Sequence, residues 1–302
     1  MKKTVVIVAG PTASGKTALA VQLAQHFNTS IVSADSRQCY RELNIGVAKP
    51  SQAQLSAVPH YFINSHSIRE TVDAVVYEQY ALKSLAEIFD RADIAVVVGG
   101  TGLYIKALCD GVDEMPAIPE SIRADIRAAF YEKGLEWLQQ QVQVLDPVYF
   151  ESGEIKNPHR LMRALEFIKA TGESIRHYQK GAKRERPFDV IKIALSVPKD
   201  ILHERINQRV DVMVAEGLKE EVNGLLPFQH LKALQTVGYR EIFDHLNGLS
   251  SMEAAVEFIK RNTRLYAKRQ MTWFKKDPDF TWLDASAYNE ILAYIESRLG
   301  SD

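Results

Sequence analysis

The sequence predicts an α/β protein: a doubly wound parallel sheet interrupted by an inserted helical domain. Three observations carry this. Short apolar runs at residues 5–8 and 94–98 each feed a glycine-bearing turn and then a helix-favouring stretch, the βα spacing of a parallel sheet. A strand signal returns only near residue 190. Between these, residues 115–186 keep a helical period with almost no strand signal.

Element by element, residues 5–8 read as the first strand, followed by a turn and a helix running to about Phe27. Residues 30–33 read as the second strand. Ile94, Ala95, Val96, Val97 and Val98 form a continuous apolar run of the kind buried on both faces. That third strand ends in Gly99-Gly100-Thr101-Gly102, and a helix begins near Leu103. Pro116 and Pro119 open the insert and Pro187 closes it, so the expected division is a core of residues 1–114 and 187–302 around an insert of 115–186. Residues 190–197 read as the fourth strand, before a long helix from Lys199 that carries Arg205 and Arg209. Residues 280–283 read as a fifth strand, with a closing helix over 287–299.

The turn after the first strand is Gly10-Pro11-Thr12-Ala13-Ser14-Gly15-Lys16-Thr17, a complete G-x-x-x-x-G-K-[ST] phosphate loop in its strand-to-helix setting, which makes the core P-loop NTPase-like. Backbone N–H groups at a helix N-terminus face an anion. Lys16 adds a point charge, and the Thr17 hydroxyl is the expected ligand of a Mg²⁺ bridging phosphate oxygens. The cradle alone does not select a chemistry, because triphosphate hydrolysis, phosphoryl transfer and displacement of diphosphate all use it.

Composition excludes more than it selects. The 302 residues are 46% hydrophobic and 25% charged, ordinary for a globular chain. A net charge of −1 means that a polyanion must be met by local basic patches. Two cysteines, Cys39 and Cys109, lack the spacing of a zinc site and read as small buried residues of a reducing compartment. Residues 1–3 run straight into a strand, and no long apolar run follows, so a cytoplasmic protein without a membrane segment is expected. A monomer is expected as well.

Four further features carry chemistry. Asp35 stands where the second strand ends, on the side where an open α/β sheet binds its ligands, and reads as a general base, a metal ligand or a turn-forming residue. At the end of the third strand a Walker-B carboxylate is missing. Glycines there let something bulky approach the backbone, and Thr101 offers a neutral hydroxyl or a helix cap. Lys260, Arg261, Arg264, Lys268, Arg269, Lys275 and Lys276 form a basic helix without an acidic residue, with Tyr266, Trp273 and Phe274 interleaved; the aromatics are expected to face the core. Such a helix offers a surface to phosphates, most simply a nucleic-acid backbone, unless acidic neighbours balance it. Arg160, Arg163, Arg176, Lys180, Lys183, Arg184 and Arg186 make a second basic stretch in the insert. Gln235-Thr236-Val237-Gly238-Tyr239-Arg240 is the fourth feature, with Tyr239 and Arg240 having no evident core role.

Together, the phosphate loop, Ser33-Ala-Asp-Ser-Arg-Gln38, Asn44-Ile-Gly-Val-Ala-Lys-Pro50, Gly99-Gly-Thr-Gly-Leu-Tyr104, Asn157-Pro-His-Arg-Leu-Met-Arg-Ala-Leu-Glu166, Val237-Gly-Tyr-Arg240 and Ala267-Lys-Arg-Gln270 resemble the bacterial tRNA dimethylallyltransferases. The motifs span nearly the whole chain in the family's order. The resemblance implies transfer of a dimethylallyl group from dimethylallyl diphosphate to N6 of adenosine 37, beside the anticodon, with release of diphosphate. It implies that Gly10 to Thr17 hold the donor's diphosphate with Mg²⁺ on Thr17, and that Arg209 and Arg240 add contacts to it. Asp35 then accepts a proton from the adenine amine and Thr101 orients that amine. Ser36, Arg37 and Gln38 read the flipped nucleotide or its neighbours. Arg123, Arg160 and Arg163 contact the anticodon stem-loop; Arg261, Arg264 and Lys268 contact its backbone. The chain lacks the C-terminal zinc finger of eukaryotic members, and a bacterial-type enzyme is expected. A small-molecule or nucleotide kinase explains Lys16, Thr17 and Asp35 equally well, but leaves the basic helix and the glycine turn without a task. A non-catalytic RNA-binding protein would not need Asp35 or an intact Lys16-Thr17.

Overall fold

The computed structural model describes residues 2–181 and 183–300. The chain divides into two compact units, Met1–Gly111 with Arg184–Asp302, and Val112–Lys183. In chain order the first unit holds β1 (Thr4–Ala9), α1 (Lys16–His26), β2 (Ile31–Ser33), α2 (Gln52–Ala57), β3 (His60–Tyr61), α3 (Ala74–Phe89), β4 (Ile94–Gly99) and α4 (Gly102–Asp110). The second unit holds α5 (Glu120–Leu145), α6 (Pro147–Ser152) and α7 (Pro158–Thr171). The chain then returns to the first unit with β5 (Asp189–Ser196), α8 (Lys199–Ala215), α9 (Leu218–Gly224), α10 (Tyr239–Leu246), α11 (Met252–Phe274), β6 (Thr281–Asp284) and α12 (Tyr288–Leu299).

One six-stranded sheet runs β3-β2-β4-β1-β5-β6, with every pairing parallel. Alternate residues of each strand point to opposite faces. Val5, Ile7, Val32, Ala95, Val97 and Ala194 therefore pack with Tyr77, Leu85, Tyr104 and Phe274 on one side. Val6, Val8, Ile31, Val96, Ile193 and Leu195 pack with Leu19, Leu23, Ile291 and Ile295 on the other. Both faces of the central strands are covered, which is why those strands read as continuous apolar runs.

No helix or strand is expected from the sequence over residues 39–93. There the structure adds α2, the short β3 and the sixteen-residue α3. Asp73 caps α3 by accepting from the amides of Val75 and Val76, and Tyr77, Ala81, Leu85 and Ile88 make its buried stripe. The sheet thus has one strand more than the five expected.

The insert has its own core of Ile126, Leu138, Val142, Tyr149, Leu161, Leu165 and Phe167. Its long helix breaks at Gly134, the one residue inside it with a non-helical backbone. Buried Asp146 caps α6 through the Tyr149 amide and accepts from the Ser174 hydroxyl, 3.0 Å away.

The unit begins and ends three residues earlier than the expected 115–186. Arg184 and Arg186 belong to the core, not to a basic face of the insert. The Arg184 amide donates to the Asp110 carbonyl, and the Arg186 guanidinium donates to buried Glu78 at 2.6 Å and to the Ala107 carbonyl. A buried carboxylate needs such a partner, and it draws that end of the segment into the core. Among the described residues no helix is long and apolar enough to cross a membrane.

Candidate active site

The parallel register sets Ala9 level with Gly99 of β4 and with Ala194 of β5, so the turns after β1 and β4 leave the sheet side by side. Gly15, with φ at +89°, takes the left-handed backbone that opens α1. Lys16 Nζ donates to the Pro11 carbonyl at 3.1 Å, and Arg209 Nη1, reaching in from α8, donates to the Thr12 hydroxyl at 3.3 Å. Burial pushes the Lys16 ammonium down to about 8; Asp35 pulls it up and Arg209 pushes it down further. Burial likewise lowers Arg209. Two closely spaced, poorly hydrated cations beside a phosphate loop form a site for a polyanionic group.

Asp35 follows β2 by two residues, and one of its oxygens organises the next turn. Oδ1 accepts from the amides of Arg37 at 2.9 Å and Gln38 at 3.3 Å. Oδ2 accepts no protein hydrogen bond among the described residues. Asp35 is thus a turn-former and a cavity-lining carboxylate at once. Thr101 precedes α4, and its hydroxyl accepts from the Ser36 amide at 3.0 Å, which ties it to the Asp35 turn. The Gln38 amide donates to the carbonyls of Val47 at 3.4 Å and Ala48 at 3.0 Å, so its nitrogen is engaged within the protein.

The glycines after β4 admit close neighbours, and those neighbours come from the chain itself. A Cβ on Gly99 would lie 2.2 Å from the Ala34 carbonyl oxygen, and one on Gly102 would lie 2.1 Å from the Trp273 indole. The bulk that the glycine turn accommodates is the backbone just after β2 and the α11 side chains of Gln270 and Trp273. Phe274 is buried as expected of the aromatics on that helix, but Tyr266 and Trp273 are 37% and 41% exposed. Tyr266 lines the cavity, and burial of its hydroxyl beside Asp35 pushes that phenol up to about 12.

Phosphate-loop residues, Asp35, Ser36, Arg37, Gln38, Arg209 and Tyr266 line one cavity of about 540 Å³ within the first unit; Thr101 is not on its wall and reaches it through its bond to the Ser36 amide. Thr12, Ala13, Gly15, Lys16, Thr17, Asp35, Ser36, Arg37 and Arg209 give it a polar part. Ile45, Val47, Val210, Met213, Val237 and Ile259 give it an apolar part. The structure does not bring Arg240 there. Its side chain lines a separate surface concavity with Gln229, His230, Asp244 and Asn262. Tyr239, expected to lack a core role, is fully buried and donates to Glu221 at 2.6 Å.

On α11, Arg261, Lys268 and Arg269 are exposed, whereas Arg264 is half-buried and donates to Asn207, and Lys260 pairs with Asp211 at 2.8 Å. In the insert, Arg123 lies 4.0 Å from Glu166, Arg160 pairs with Glu154, Arg176 donates to Ser152, and Arg163 is exposed. Part of each basic patch is therefore balanced locally.

Three further residues contribute roles that the sequence did not assign, although Lys49 and Gln270 stand in the motifs quoted above. Gln270, 6% exposed, accepts from the Thr12 amide and donates to the Gly100 carbonyl, both at 2.9 Å, and so splices the phosphate loop to the β4 turn. Lys49 lines the cavity while its ammonium donates to Asn44, Asn64 and the Tyr40 carbonyl; burial pushes it down to about 8. Glu221 accepts from the amides of Asn44, Ile45 and Gly46. An isolated Glu or Gln on a helix carries no periodic signal that would single it out.

Comparison with known proteins agrees with this geometry. Residues 38–277 match the family model described as IPP transferase. The tRNA dimethylallyltransferase of Cytophaga hutchinsonii is 43% identical over 99% of this chain and 98% of its own, and that of Christiangramia forsetii is 42% identical over the full length of both. Among solved structures, the tRNA isopentenylpyrophosphate transferase of Bacillus halodurans superposes with a TM-score of 0.74 at 34% identity, covering 99% of this chain and 97% of that one. A eukaryotic dimethylallyltransferase described as acting on tRNA superposes with a TM-score of 0.78 at 25% identity, covering 98% of this chain and 77% of that one. With its phosphate loop, its cavity and these full-length matches, the chain belongs to the IPP transferase family.

Proposed function

We propose that this protein transfers a dimethylallyl group from dimethylallyl diphosphate to the exocyclic N6 of adenosine 37 in the tRNA anticodon stem-loop, giving N6-(dimethylallyl)adenosine and diphosphate. The observation that carries the reading is the two-part cavity: a phosphate loop and a carboxylate share it with an apolar lining drawn from four separate segments. An allylic donor, with a charged head and an apolar tail, makes use of both parts.

In this reading the diphosphate lies on the loop, where Lys16 and Arg209 meet the charge that develops as the allylic C–O bond breaks. The amine nitrogen forms the new N–C bond and its proton passes to Asp35. An exocyclic adenine amine is a weak nucleophile, so the Thr101 hydroxyl and the turn it ties down act mainly by orienting it. Among the described residues no three His, Cys, Asp or Glu side chains cluster as a metal cage. The Thr17 hydroxyl, on the cavity wall, would hold a hard ion such as Mg²⁺ together with oxygens of the donor. Bound there, it would supply further positive charge to the leaving diphosphate. The tRNA backbone lies on Arg261, Lys268 and Arg269 of α11, and Arg123, Arg160 and Arg163 offer the insert's contacts.

Diphosphate release, followed with dimethylallyl diphosphate and an unmodified anticodon stem-loop, tests the reading. Asp35→Ala is expected to slow the single-turnover step by roughly 10²-fold or more with RNA affinity nearly unchanged. Lost RNA affinity at an unchanged single-turnover rate would remove Asp35 from the proton-accepting role.

A further inference from the structure

We infer that Glu221, which touches neither the phosphate loop nor Asp35, sets the size of the cavity's apolar part and so selects the length of the prenyl chain; this rests on the transferase reading above. The carboxylate gathers four donors. Oε2 accepts from the amides of Asn44 at 3.0 Å and Ile45 at 2.8 Å, and Oε1 accepts from the Gly46 amide at 3.1 Å and the Tyr239 hydroxyl at 2.6 Å.

Two lips of the cavity meet at this group. Residues 45–50 form one, with the apolar side chains of Ile45 and Val47; residues 236–238 form the other, with Val237, and they lead directly into Tyr239. The fully buried Tyr239 ring packs so closely on Gly46 that a Cβ there would lie 2.6 Å from a ring carbon. Glu221 therefore fixes the backbone of one lip directly and the position of the other through the tyrosine. The far end of the first lip is held separately, by the Lys49 ammonium on the Tyr40 carbonyl and by the Gln38 amide on Ala48. With both ends anchored, Ile45 and Val47 cannot retreat, and a donor longer by one isoprene unit meets them.

Hydrogen bonds to a charged acceptor are about twice as strong as neutral ones, and a glutamine cannot replace this carboxylate. One of its two acceptor positions becomes an NH₂ that faces amide donors. Glu221 is a positioning residue, so its loss is expected in donor binding and selectivity more than in the chemical step.

The test compares the full-length protein with Glu221→Gln and Tyr239→Phe, measuring kcat and KM for dimethylallyl and geranyl diphosphate with a fixed anticodon stem-loop. Glu221→Gln is expected to raise KM for dimethylallyl diphosphate about 10-fold with kcat within about 2-fold, and to lower the preference for the shorter donor about 10-fold. Tyr239→Phe, which keeps the ring on Gly46 and removes only the hydroxyl, is expected to shift both quantities the same way by about 3-fold, and it carries the test if Glu221→Gln does not fold. Folded variants with unchanged KM and unchanged preference, or with kcat lowered equally for both donors, overturn the inference while leaving the transferase reading intact. An unaltered protein that transfers neither donor to RNA contradicts the transferase reading itself.

Discussion

Lys16 shows how a residue obvious in sequence acquires a property that only structure supplies. The motif names it, but its lowered affinity for a proton comes from burial and from Arg209, which approaches from a helix far along the chain. The sign of the consequence is definite. The free site loses the Lys16 proton as pH rises past about 8, whereas a bound diphosphate favours the cation, so the complex holds more protons than the free protein above that pH. Donor affinity is therefore expected to be flat below pH 8 and to fall above it by up to about tenfold per unit. Titration calorimetry with dimethylallyl diphosphate across pH 7 to 10 measures it, and Lys16→Ala should bind weakly with that limb removed. A falling limb that survives in Lys16→Ala assigns it to another group, Lys49 being the first to examine. Asp35 was legible only as a choice among a base, a metal ligand and a turn-former. The structure gives one oxygen to the turn and leaves the other to the cavity, an outcome that spacing cannot encode.

At the scale of elements, the strands and the helices that follow them were readable because each carries a local signal: an unbroken apolar run, a glycine loop, a capping residue. What stayed hidden was pairing across distance. Nothing local in the α11 sequence says that Gln270 reaches back to Thr12 and Gly100, or that Trp273 fills the space left by Gly102. Charge on that helix was visible, but its partition was not. Arg264 and Lys260 are engaged by Asn207 and Asp211, whereas Arg261, Lys268 and Arg269 remain exposed. Replacing these last three with alanine is expected to weaken tRNA binding and to lower the slope of log affinity against log salt by about one for each phosphate left without its cation. Arg264→Ala should leave the slope nearly unaltered. Equal slopes in the triple variant and the parent would show that this face meets only solvent.

For the whole molecule, the sheet order and the registers of β1, β4 and β5 bring three chain segments that are remote in sequence to one rim, and the functional residues follow from that convergence. The sequence foretold a parallel core and a helical insert, yet it missed α3 and β3 within residues 39–93, where an Asp73 cap and an i, i+4 stripe from Tyr77 were the available signals. It also overran the insert's end, because Arg184 and Arg186 read as surface charge, and only the fold brings Glu78 to meet them. In the proposed function the assembled cavity takes a donor with a charged head and an apolar tail, and an acceptor that approaches Asp35. The most direct measurement is the mass of an unmodified anticodon stem-loop after incubation with the protein, Mg²⁺ and either dimethylallyl diphosphate or ATP. The account predicts a gain of one dimethylallyl group, located on adenosine 37, with the allylic donor alone. An RNA of unchanged mass with that donor, together with ATP consumption on a small acceptor, would contradict it.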